Sequence, residues 1–239
     1  MAREPWLQRG MAAIVTGASS GIGLGIARAL AGEGVTVAGL SRSPLPANAL
    51  GAGNIWHIPC DVRSEEEVSR AVGAACERAG RLDVLVNAAG VSMPANMELE
   101  AVDFPLWKRI IDTNLTGLFL VTKAALPHLK RGGGYVINIL STAAFRTTMG
   151  NSPYSASKQG ARAVGEAAAA EGKEAGVRVA SISPGPVNTN IWNHKSAPPS
   201  AQTRERMLSS EDIADIALFL LKAPAYLSIE NITVTPFRY

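Results

Sequence analysis

The chain has 239 residues, 47% of them apolar and 18% charged, and its formal charge is +3 at neutral pH. The length suits one large α/β domain with a full core, and the apolar share is that of a globular protein. Weak, scattered positive charge argues against nucleic acid, the two cysteines (Cys60 and Cys76) make neither a disulfide framework nor a metal cluster, and no stretch reaches a membrane span.

Met1 to Gly10 mixes charges of both signs with a proline and lacks the apolar run of a secretory signal, so a reducing, cytoplasmic setting is expected. Met11 to Thr16 reads as a buried parallel strand. It runs into Gly17-Ala18-Ser19-Ser20-Gly21-Ile22-Gly23, after which Ile22, Ile26, Ala29 and Leu30 recur at helical spacing. Strand, glycine turn and helix together are the context that a dinucleotide site requires; the plainer alternative is a tight turn with no ligand. Glycines admit a pyrophosphate close to the backbone, and free N–H groups at the helix start hold its charge. The next strand, Val35 to Leu40, ends in Ser41-Arg42-Ser43 rather than in the Asp or Glu that holds a ribose 2′-hydroxyl. A guanidinium and two hydroxyls suit a 2′-phosphate, so NADP(H) is expected over NAD(H); the plainer alternative is a solvated loop arginine.

Pro44 to Gly53 is a turn-rich link, and Ile55 to Cys60 a third strand ending at Asp61-Val62. Asp61 either meets an adenine amino group or caps its own loop. Ser64-Glu65-Glu66-Glu67 has the form of a capping box, opening a helix with Val68, Ala71, Val72, Ala75 and Cys76 on its apolar face. Leu82 to Val86 is a fourth strand, and the small residues of Asn87-Ala88-Ala89-Gly90 let a flat ligand approach. Trp107 to Leu129 reads as one helix containing the polar Asn114, whose simplest account is a hydrogen bond to a nearby strand. His57 and His128 lie away from these motifs and read as structural.

Tyr135 to Leu140 is a fifth strand that delivers Ser141 at its carboxyl end, where ligands bind in open α/β sheets. Four residues apart, Tyr154 and Lys158 share one helix face. A phenol with an ordinary pKa of about 10 is a poor acid or base near neutrality, and a neighbouring ammonium favours its phenolate. Bringing it to roughly 7 takes about 4 kcal/mol of differential stabilisation. Ser141 could then hold a substrate oxygen while Tyr154 exchanges a proton with it. On its own the Tyr-x-x-x-Lys pattern is common on surface helices. A sixth strand, Val177 to Ser183, leads into Pro184-Gly185-Pro186-Val187-Asn188-Thr189.

These motifs, in this order and at these separations, resemble the short-chain dehydrogenase/reductase family over nearly the whole chain. Two departures stand out: Ala88 replaces a second asparagine, and Leu140 precedes Ser141 where a second serine is usual. The resemblance implies a single Rossmann-type, doubly wound parallel sheet of about seven strands with helices on both faces, spanning residues 1–239. It makes Tyr154 the general acid/base, with Lys158 lowering its pKa and binding the nicotinamide ribose. Ser141 would orient the substrate oxygen, and Asn114 would hold a proton-relaying water. The cofactor would lie against Gly17, Ser19, Ser20, Gly21, Ile22, Gly23, Ser41, Arg42, Asp61, Val62, Asn87, Ala88, Ala89, Gly90, Tyr154, Lys158, Pro184, Gly185, Val187 and Thr189, with no metal. It also implies a homodimer or homotetramer through the Asn114 helix and the alanine-rich helix from Ser155 to Ala175.

Residues 190–208 have the makeup of a short lid over a small substrate. Within it Trp192 either faces the substrate or anchors the loop, and His194 and Lys195 either attract an anion or are solvated. Ser210 onward starts another helix, and Asn231 to Thr235 is a last strand. The expected activity is NADP(H)-dependent hydride transfer on a small carbonyl/alcohol pair, with no nucleic-acid or membrane partner. The alternatives are a non-catalytic dinucleotide-binding regulator, an NAD-dependent alcohol dehydrogenase of the same fold, and, lower, a sugar-nucleotide epimerase or dehydratase.

Overall fold

The central apolar runs pair as parallel strands buried on both faces, as crossover connections require, while the strands at the two edges of the sheet are partly exposed. The computed structural model describes residues 5–50 and 54–238. Its strands are β1 (Ala12–Thr16), β2 (Thr36–Ser41), β3 (Ile55–Pro59), β4 (Val84–Asn87), β5 (Tyr135–Ile139), β6 (Arg178–Pro184) and β7 (Asn231–Val234). They form one seven-stranded parallel sheet in the order β3-β2-β1-β4-β5-β6-β7. Helices α1 (Gly21–Gly32), α2 (Ala47–Leu50), α3 (Glu65–Ala79), α4 (Phe104–Ile111), α5 (Gly117–Leu129), α6 (Ser152–Gly172), α7 (Ala201–Arg204) and α8 (Ser210–Lys222) complete the chain.

Alternation along the strands sorts the core into two layers. Ala13 and Val15 of β1, with Tyr135, Ile137 and Ile139 of β5, pack towards α1 and α8. Ile14 and Val136 face the other way, towards α3 and α5. The connections reverse direction between β1 and β4, which opens a crevice above the carboxyl ends of those two strands.

Three local expectations need adjusting. Ser64 does cap α3, accepting from the Glu67 N–H at 3.3 Å, but the Glu67 carboxylate accepts from the Asp61 N–H at 2.9 Å instead of closing the box. A complete capping box forms at α8 instead, between Ser209 and Asp212. The single helix expected over Trp107–Leu129 is α4 and α5 joined by a π turn at Asp112–Thr116, which holds Asn114. Such turns interrupt helices most often at functional sites. The Pro44–Gly53 link contains the short α2, while Gly51, Ala52 and Gly53, like Met1 to Glu4 of the amino-terminal stretch, lie outside the described residues. Among the described residues no helix is long and apolar enough to cross a membrane, no metal-ligating group assembles, and both cysteines are free and buried.

Candidate active site

The glycine turn is shaped by close contacts. Gly17 has φ +66°, and a Cβ there would stand 2.9 Å from Ala89 backbone atoms; one on Gly23 would meet the Gly17 carbonyl oxygen at 2.5 Å. Thr16 ties the turn to β4, its hydroxyl accepting from the Ala88 and Ala89 N–H groups at 3.0 and 3.1 Å. The Ser20 side chain makes no capping bond to α1, so the N–H groups of the first turn remain open to an anion. Ser19 and Ile22 are half-buried beside them. This cradle fits a dinucleotide pyrophosphate, which α1 would hold with backbone N–H groups.

At the end of β2 the three candidate phosphate ligands separate. The Ser41 hydroxyl turns inward, donating to the Ser43 carbonyl at 2.7 Å and lying 3.2 Å from His57 Nε2. Arg42 and Ser43 are exposed. His57, expected away from every motif, instead lies beneath this corner, its Nε2 3.0 Å from the Ser41 carbonyl oxygen. Asp61 accepts from the Arg63 N–H and guanidinium, capping its own loop. Those bonds, with the Arg42 charge nearby, hold its carboxyl below the usual range. Val62 is buried against Gly117.

Over the middle of the sheet, Asn87 uses its amide on Thr122 Oγ1 at 3.0 Å and Asn138 Oδ1 at 2.9 Å, leaving the Ala88–Gly90 backbone at the crevice. Asn114 joins three elements. Its Oδ1 accepts from the Val91 N–H at 2.8 Å, and its Nδ2 donates to the Val91 carbonyl at 2.9 Å and to Ser157 Oγ at 3.0 Å. The amide thus binds the loop after β4 and the start of α6, not a strand as the simplest account had it. Ser157 was not picked out from the sequence; its place between Tyr154 and Lys158 was the available signal.

Ser141 follows β5 directly, and its hydroxyl accepts from the Ala143 N–H at 3.2 Å. Lys158 is buried, donates to the Ile139 carbonyl at 2.9 Å, and stands 5.8 Å from the centre of the Tyr154 ring. Burial pushes the Tyr154 phenol above its ordinary value, opposed by the Ser141 hydroxyl nearby. Burial also drives the Lys158 ammonium down to about 8. Both side chains are thus desolvated together, and the Lys158 ammonium is held by its bond to the Ile139 carbonyl.

The loop after β6 closes the crevice. The Gly185 N–H donates to the Val234 carbonyl at 2.8 Å, beside the end of β6 at Pro184, and Val187 is buried. Thr189 lies against the glycine turn, 3.2 Å from where a Gly21 Cβ would be. Trp192 donates its indole N–H to the Val187 carbonyl at 2.8 Å, so it anchors the segment beyond. That segment crosses to the loop after β4, where the Ser196 N–H meets the Pro94 carbonyl at 2.9 Å.

Residues 11–199 match the family described as short chain dehydrogenase. The chain belongs to that family. Relatives similar to it include an uncharacterized oxidoreductase of Staphylococcus aureus, 36% identical over 94% of this chain and 96% of the relative, and one of Staphylococcus saprophyticus at 35% with the same coverage. Among solved structures, an alcohol dehydrogenase of Thermococcus sibiricus complexed with 5-hydroxy-NADP superposes with a TM-score of 0.83 at 30% identity, covering 95% of this chain and 97% of the other. A 3-ketoacyl-(acyl-carrier-protein) reductase of Brucella melitensis complexed with NADH gives 0.85 at 27%, covering 96% and 98%. The protein is an oxidoreductase of the short-chain dehydrogenase family with its doubly wound parallel sheet.

Proposed function

We propose that this oxidoreductase transfers hydride between NADP(H) and a small carbonyl/alcohol substrate, with Tyr154 as general acid/base. The observation that carries the reading is the buried Lys158 ammonium beside the Tyr154 ring, next to Ser141, at the mouth of the glycine-turn crevice. The nicotinamide supplies the hydride chemistry when bound. The protein supplies placement and a proton. Tyr154 gives a proton to the substrate oxygen in reduction and takes it back in oxidation, while Ser141 steadies that oxygen and Lys158 favours the phenolate and holds the nicotinamide ribose. Asn114 holds the π turn against Val91 and Ser157, where a water relaying protons from Lys158 would sit.

The glycine turn would hold the pyrophosphate and Arg42 the 2′-phosphate, with no carboxylate at the end of β2 to repel it. The similar structures carry one NADP derivative and one NADH, so a nicotinamide dinucleotide is common ground and the phosphate preference rests on Arg42. Residues 1–239 then act as one dinucleotide-binding domain with residues 190–208 as lid. The protein works in a cytoplasmic, reducing setting as a homodimer or homotetramer, without nucleic-acid or membrane partners. Exposed Phe104, Phe119, Phe145 and Met149 on and beside α4, α5 and α6 support the assembly.

The test follows NADPH oxidation over a panel of small ketones and aldehydes. Tyr154→Phe should lower turnover at least about a hundredfold while the NADPH dissociation constant stays within about twofold. Normal turnover in that variant would remove Tyr154 from the chemistry. Arg42→Ala should weaken NADPH binding about tenfold or more and NADH binding little, as expected for a hydrogen bond to a charged group. Equal losses for both coenzymes would refute the phosphate preference.

A further inference from the structure

We infer that the substrate carries a carboxylate, and that Lys195 is its anchor at the mouth of the cleft. The inference rests on the oxidoreductase reading above and names the substrate class of that same site.

Three segments follow the carboxyl ends of the strands that carry the site: residues 91–97 after β4, 141–153 between β5 and α6, and 184–200 after β6, the first tied to the others by the Met97 N–H on the Gly150 carbonyl and the Ser196 N–H on the Pro94 carbonyl. The chain has 20 Asp and Glu, yet none falls in these segments, whose charged residues are Arg146 and Lys195, joined by the titratable His194. Arg146 and His194 are exposed, as surface charges usually are. Lys195 differs from both.

It is half-buried, and its ammonium lies 5.7 Å from the centre of the Trp192 ring. That ring is itself fixed by the indole bond to Val187, in the loop that closes the crevice. Lys195 has no carboxylate partner among the described residues, and burial, with no charge acting on it, lowers its pKa. Its backbone is pinned on both sides, by its own N–H on the Trp192 carbonyl at 3.2 Å and by Ser196 on Pro94. The side chain thus lies by the indole, on a backbone anchored at both neighbours. A cation there without a counter-ion is complementary to an anion; Asp103, which lines a hollow with Pro94, is accompanied by Arg109 on the same walls. A compact point charge suits a single carboxylate, and the shortness of the lid suits a small acid.

The test pairs oxo acids of three to six carbons with their methyl esters, which keep the shape and lose the charge. Wild-type kcat/KM should favour the best acid over its ester about tenfold or more. Lys195→Met should remove that preference chiefly through KM, leaving the ester's kcat/KM within about twofold, and Lys195→Arg should largely restore it. The preference should also shrink as salt rises. Calorimetric titration of the same acid and ester into the NADP⁺-saturated protein reads the anion site without turnover. Acid-selective binding that Lys195→Met abolishes would uphold the anchor even if no carbonyl were reduced, which would count against the reaction alone. Turnover of acid and ester at equal efficiency, or a preference unchanged in Lys195→Met, would overturn the inference.

Discussion

A lysine that must stay charged while buried is a liability to the fold. The Lys158 pKa is driven down to about 8, so between pH 8 and its ordinary value near 10.5 the unfolded chain binds more protons than the folded one. Stability therefore rises with pH across that window, and below pH 8 the full cost of burying the ammonium remains. A shift of that size corresponds to roughly 3 kcal/mol, offset by about 1 kcal/mol for the bond to Ile139. Lys158→Met should thus raise stability at pH 7 by about 2 kcal/mol while abolishing turnover. Denaturant melts at pH 7 and pH 10 would check it, with the gain expected at the first and largely absent at the second. A gain that grew with pH would show that the ammonium is not what burdens the fold.

At the scale of elements, strand positions were legible because buried parallel strands leave continuous apolar runs, as at Ala12–Thr16 and Tyr135–Ile139. The glycine turn was legible because only Gly fits at 17 and 23. Gly23→Ala would drive a methyl onto the Gly17 carbonyl and should cost about 1–3 kcal/mol of stability together with most NADPH affinity, read by thermal melts and fluorescence titration. The π turn was not legible, since Asn114 and its neighbours keep helical spacing and its cause is tertiary: an amide reaching Val91 and Ser157. Asn114→Leu leaves the Val91 N–H and carbonyl without that partner, and should destabilise by about 2–4 kcal/mol in the same melts. The inward turn of Ser41 escaped for a similar reason. Its partner His57 sits on a neighbouring strand, 16 residues away.

For the whole molecule, the proposed assembly predicts a mass in solution near two or four times 25.0 kDa by light scattering. Phe119→Glu, placing a charge on an exposed aromatic of α5, should shift it towards 25.0 kDa. The contact between Thr189 and the Gly21 turn has a broader bearing. There the first and last thirds of the chain meet beside the proposed dinucleotide crevice, so a bound coenzyme would act as a clasp on two distant stretches. Trypsin should then cut the liganded protein more slowly at Lys195, Arg204 and Arg206, and the protection should follow coenzyme occupancy.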